Sequence, residues 1–171
     1  MIRRKALAAV VLLLVVSISG CGDPFGALTG KTFYTVRSGS MEPTLKEGAS
    51  VRVALTDVYQ PKVGDVVVVS TPESWGWDGR PIFSRVLGVP GGTVRCCDDH
   101  GVLLVNGKPL DEPYLHPDPE FRMFGTVAVP VGRIWVMGDN RNQAVDSRYY
   151  HRELGDGTVP VANVIGVLDQ E

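Results

Sequence analysis

Asp65-Val66-Val67-Val68-Val69 carries four β-branched side chains in succession. Such a run is stiff at χ1, crowds a helix and suits a strand covered on both faces. Pro61-Lys62-Val63-Gly64 precedes it as a turn. Working outward, Val51-Arg52-Val53 alternates, and further strand signals fall at 82–89, 93–97, 102–105, 126–129, 133–137 and 164–168. Glycine and proline punctuate the gaps, as in Pro90-Gly91-Gly92, and Asn106-Gly107 is a hairpin-turn signal. No long segment of helical period occurs beyond the N-terminal stretch. The pattern predicts an all-β, loop-rich domain over 33–171.

The 171 residues suffice for one domain with a hydrophobic core. Arg3, Arg4 and Lys5, followed by an apolar run to Ile18, form an export-signal pattern. Ile18-Ser19-Gly20-Cys21 resembles a bacterial lipobox, in which the cysteine is lipidated. The alternative is a short anchor or ordinary cleavage site that happens to contain Cys21. Residues 1–20 are therefore read as a lipoprotein-type signal peptide or short membrane anchor, and 21–32 as a tether. Either reading places the body at the cell membrane, on its extracytoplasmic face, with membrane lipid as a partner. The net charge of −2 becomes more negative without the three N-terminal cations, leaving no footprint for nucleic acid. Cys96 and Cys97 are adjacent, so a vicinal disulfide or two buried thiols are open to them. With Asp98, Asp99 and His100 they lack zinc-knuckle spacing, and no metal or other cofactor is expected.

Arg37-Ser38-Gly39-Ser40-Met41-Glu42-Pro43-Thr44-Leu45 sets two hydroxyls around a glycine. It suits an exposed nucleophile on a tight bend, or simply a Ser/Gly loop closed by Pro43. Downstream come Gly64-Asp65-Val66-Val67-Val68, Arg85-Val86-Leu87-Gly88-Val89-Pro90-Gly91 and Asn106-Gly107-Lys108-Pro109-Leu110-Asp111-Glu112-Pro113-Tyr114. Met137-Gly138-Asp139-Asn140-Arg141 follows, running on to Asp146-Ser147-Arg148. In this order the five segments resemble the bacterial type I signal peptidases, membrane-bound serine endopeptidases that remove signal peptides, and most closely actinobacterial members.

The resemblance implies a signal-peptidase-like β-sheet catalytic domain with loop-rich insertions. It implies Ser40 as nucleophile, with the Ser38 hydroxyl and the Ser40 N–H stabilising the oxyanion. Asp139, Arg141, Asp146 and Arg148 match charges that brace the site through ion pairs. It also implies a lysine base directly before Arg85 and a serine two residues before Asp146. This sequence has Ser84 and Ala144 at those positions. A serine hydroxyl relays a proton but is no base near neutrality, and Arg85 stays protonated. His100, His116 and His151 lie off the predicted strand that carries position 84, and Lys46 and Lys62 read as solvated loop residues.

Two readings follow. One is a membrane-anchored serine endopeptidase acting on signal peptides of exported preproteins. The other is a catalytically impaired pseudo-peptidase lipoprotein that binds signal peptides or modulates an active paralogue. A plain structural lipoprotein is a weaker third. Trp75 and Trp77 in a glycine-rich loop suit either a membrane interface or a cap on the β core.

Overall fold

The computed structural model describes residues 30–117, 119 and 122–169. The predicted signal or anchor, Cys21 and most of the tether lie outside the described residues. Eleven strands occur among the described residues: β1 (Lys31–Thr35), β2 (Ser50–Leu55), β3 (Val66–Ser70), β4 (Pro81–Gly88), β5 (Thr93–Cys96), β6 (Leu104–Val105), β7 (Lys108–Pro109), β8 (Phe124–Ala128), β9 (Arg133–Met137), β10 (Val159–Pro160) and β11 (Val164–Leu168). They form a seven-stranded sheet in the order β1-β2-β11-β3-β4-β9-β10 and a four-stranded sheet in the order β7-β6-β5-β8. The pairings are antiparallel, and the expectation of an all-β fold holds.

The valine run is β3, buried on both faces. Val67 and Val69 join a core with Val86, Ile134 and Val136, whereas Val66 packs on the opposite side with Val36, Met41 and Leu45. Two faces needing apolar cover explain why the run does not alternate. Burying each valine contributes about 1.5–3 kcal/mol. A third core, around Leu87, Val94, Leu103 and Trp135, lies where the smaller sheet meets β4 and β9. Cys96 and Cys97 belong to it, joined as a disulfide across a cis peptide.

Several elements differ from the sequence expectation. β1 starts at Lys31, so the sheet takes in the last two residues of the predicted tether. β6 spans only Leu104–Val105, and its hairpin to β7 turns through Asn106 and Gly107, both at positive φ as a two-residue primed turn requires. Ser147–Leu154 is a helix that periodicity did not announce. Its signals are local: the Asp146 carboxylate caps the N-terminus by accepting from the Arg148 N–H, and Gly155 ends it in the left-handed region.

Two connections and one strand converge. The β1–β2 link carries Ser38 and Ser40, and β4 carries Ser84 and Arg85. β9 pairs with β4 so that Met137 lies opposite Arg85. The loop that follows Met137 therefore emerges beside both.

Candidate active site

After β1 the chain enters a 3-10 turn, Gly39–Met41. Met41 is fully buried beside Val36, Leu45 and Val66, which anchors the turn from beneath. Glu42 and Leu45 donate their N–H groups to the carbonyl oxygens of Gly39 and Met41, and the Glu42–Pro43 peptide is cis. Above this anchor Ser38 Oγ and Ser40 Oγ share a hydrogen bond of 3.0 Å.

The loop after β9 cradles the turn. Asn140 donates its N–H to the Ser40 carbonyl oxygen at 3.0 Å and its Nδ2 to the Gly39 carbonyl oxygen at 3.2 Å. A Cβ at Gly138 would sit 2.5 Å from that same Ser40 oxygen and from Ala144 Cβ. One at Gly39 would meet Gln143 Oε1 at 2.8 Å. Gly138 is thus demanded by close backbone approach, whereas at Gly39 only the end of the flexible Gln143 side chain would have to move.

Behind the cradle stand three buried ion pairs. Arg85 donates from Nε to Asp139 Oδ1 at 2.8 Å and from Nη2 to Oδ2 at 2.6 Å. Its Nη1 donates to the Gly64 carbonyl oxygen at 2.7 Å, and its guanidinium lies 3.7 Å from the Tyr114 ring centroid. Thr44 Oγ1 also donates to Asp139. Burial pulls the Arg85 pKa down, but the hydrogen bonds and charge of Asp139 outweigh it and leave the pKa raised. Tyr114 donates to Glu112, and burial followed by the Glu112 charge pushes its phenol well up. Glu112 in turn pairs with Arg141, whose Nε donates to the Gly138 carbonyl oxygen. Asp146 pairs with Arg148 at 2.8 Å and accepts the Gly138 N–H at 3.0 Å. The four charges singled out in the sequence are therefore all buried around one loop. Asp139 and Arg141, separated in the motif only by Asn140, nevertheless take separate partners. Those partners, Arg85 and Glu112, were not assigned a bracing role from sequence. They lie 54 and 29 residues away, beyond the reach of any local pattern.

A cleft of about 850 Å³ opens over the turn, lined among others by Ser38, Ser40, Ser84 and Ala144. Ser40 is half-buried and Ser84 almost wholly buried, opposite Val67 in the β3–β4 ladder. Among the described residues lining the cleft there is no lysine and no histidine. His116 donates its N–H to the Asp139 carbonyl oxygen, and His151 packs edge-on against Trp135. His100, Lys46 and Lys62 are exposed and do not line the cleft. Trp75 is buried and stacks on Tyr150 with ring centroids 4.1 Å apart, so it caps the core. Trp77 stands half-exposed at the cleft rim.

The arrangement offers a carbonyl group two hydroxyls on a rigid turn, at the side of an open groove. The chain belongs to the signal peptidase family, peptidase S26, whose family model matches residues 4–170. It is 39% identical to a signal peptidase I of Mycobacterium tuberculosis, over 78% of this chain and 62% of that protein. It is 36% identical to a probable signal peptidase I-1 of Synechocystis, over 77% of this chain and 65% of that protein. The chain thus spans somewhat under two thirds of these relatives' length. A crystal structure of a signal peptidase I from Enterococcus faecalis superposes with a TM-score of 0.52 at 32% identity, covering 66% of this chain and 99% of that one.

Proposed function

We propose that this chain is a signal-peptidase-type serine endopeptidase acting on signal peptides of exported preproteins. The observation that carries the reading is Ser40 Oγ on a pinned turn, 3.0 Å from Ser38 Oγ, facing an open cleft. An extended peptide lies in the cleft by adding to strand edges. Ser40 Oγ bonds to the scissile carbonyl carbon while its proton, with no lysine or histidine among the described cleft residues to take it, passes through cleft hydroxyl groups and solvent to the nitrogen that departs as the amine. The Ser38 hydroxyl and the Ser40 N–H stabilise the tetrahedral oxyanion. The amine leaves, and water releases the acyl group from Ser40. Asp139, Arg141, Asp146 and Arg148 hold the loop behind the serine and take no part in bond making. The body works at the membrane, on its extracytoplasmic face, held by lipidated Cys21 or by an N-terminal anchor. Among the described residues no helix is long and apolar enough to cross a membrane.

A second reading rests on a specific observation: Ser84 and Ala144 line the cleft, with no lysine or histidine among its described residues. A neutral amine would take the proton of Ser40; a second hydroxyl only relays it. On this reading the chain binds signal peptides, or modulates an active paralogue, with turnover impaired. Losing a general base costs about 10²–10⁴-fold. Cleavage of a signal-peptide substrate by wild type, Ser40→Ala, Ser84→Lys and Ser84→Lys with Ala144→Ser separates the two. Wild-type turnover lost in Ser40→Ala supports the enzyme. Turnover that begins only with the double change supports the impaired form. Mass spectrometry of the mature N-terminus tests Cys21, and an unmodified Met1 would exclude its lipidation.

A further inference from the structure

Within the cleft, the charged side chains are not balanced. Arg37 and Arg80 both line it. Among the described residues neither has a carboxylate partner, and Arg80 lies only over the Trp77 ring, 5.7 Å from its centroid. The carboxylate that lines the cleft, Asp146, is already paired with Arg148 and capped by the Gly138 N–H. Glu42 lies near the turn outside the lining and accepts the Glu47 N–H, and Asp78 also falls outside it. A chain of net charge −2 thus presents a groove carrying two unneutralised guanidinium groups.

From this imbalance we infer that Arg37 and Arg80 are specificity determinants, selecting peptides with a carboxylate side chain close to the scissile bond. The inference rests on the proposed function and deepens it. Arg37 is three residues from Ser40, so their Cα atoms are at most about 11 Å apart. A guanidinium on a flexible stem therefore reaches side chains within roughly three residues of the bond. Arg80 precedes β4 by one residue and approaches the cleft from the Ser84 side. Guanidinium forks match carboxylates in plane and charge. Because the groove is open, the preference is modest and sensitive to salt.

The test uses the full chain in neutral detergent, as the Ser40→Ala variant, so that turnover does not intrude. Fluorescent signal-peptide analogues carry a single Glu or Gln, scanned over the three positions on each side of the bond. At least one Glu peptide should bind about three- to tenfold more tightly than its Gln twin at low salt. That ratio should approach one in ~0.5 M salt. It should also approach one when Arg37→Gln and Arg80→Gln are added. Equal binding of Glu and Gln at every position, with good affinity, overturns this inference and leaves the proposed function standing. Failure of every peptide to bind overturns the proposed function and this inference with it. Phosphatidylglycerol vesicles, compared with phosphatidylcholine vesicles, provide one further arm. Arginine-dependent vesicle binding without any Glu preference would assign the two side chains to lipid and refute peptide selection.

Discussion

Replacing Asp139 by alanine leaves the Arg85 guanidinium buried without its counter-charge. Asp139 is fully buried and Arg85 nearly so, and two hydrogen bonds of 2.8 and 2.6 Å join them. Breaking such a pair by removing one partner costs about 3–5 kcal/mol. Here the low end applies, because the Gly64 carbonyl oxygen still accepts from Arg85 and the Tyr114 ring still covers it. About 3 kcal/mol is a large share of a domain's 5–15 kcal/mol. At this chain length it lowers Tm by roughly 6–12 °C. The companion variant is Glu153→Ala, which breaks the exposed Arg152–Glu153 pair and should cost at most about 1 kcal/mol. Urea denaturation followed by tryptophan fluorescence measures both. Arg85→Met together with Asp139→Ala should recover part of the loss, since no charge is then stranded. If Asp139→Ala costs no more than Glu153→Ala, the buried pair does not hold this site.

Three more outcomes are expected. Gly138→Ala should abolish activity or peptide binding and cost about 1–3 kcal/mol, because its Cβ would overlap the Ser40 carbonyl oxygen. Gly125→Ala, with nothing within 4 Å, should do neither, which activity and denaturation assays on both would check. Trp75→Ala should cost about 3–5 kcal/mol by emptying its stack on Tyr150, and the half-exposed Trp77→Ala under about 1 kcal/mol, as read by chemical denaturation. Asp98 has a lowered pKa, first because it accepts the Val102 N–H and also because it accepts the His100 N–H. A depressed carboxylate contributes stability above its unfolded pKa near 4, and that contribution is lost as pH falls through the folded value. Urea midpoints compared at neutral and acid pH should therefore fall less steeply on acidification in Asp98→Asn than in wild type.

The strands that pack on two faces were legible because β-branched residues crowd them, as in Val66 to Val69. β1 was not, since Lys31, Thr32, Tyr34 and Thr35 give a polar edge no run of apolar residues. The helix at Ser147 was missed because its eight residues are mostly polar; only Asp146 and Gly155 mark its ends. At the site, motif order located Ser38, Ser40, Ser84 and Ala144, and the fold brings them to one cleft. The pairing of Arg85 with Asp139 and of Glu112 with Arg141 could not be read, because each depends on strand register and loop path. The Asp146–Arg148 pair is local, two residues apart, but the gathering of Arg37 and Arg80 as uncompensated charges in the same cleft again depends on the fold.

The proposed peptidase chemistry turns on whether Ser40 Oγ is a nucleophile toward a bound signal peptide. Intact-mass spectrometry after exposure to a signal-peptide analogue ending in an activated ester tests it most directly, because a good leaving group lessens the demand for a base. One acyl adduct per chain is expected, mapped to Ser40 and absent from Ser40→Ala. An adduct that persists in Ser40→Ala, or none in wild type while the analogue is bound, would contradict it.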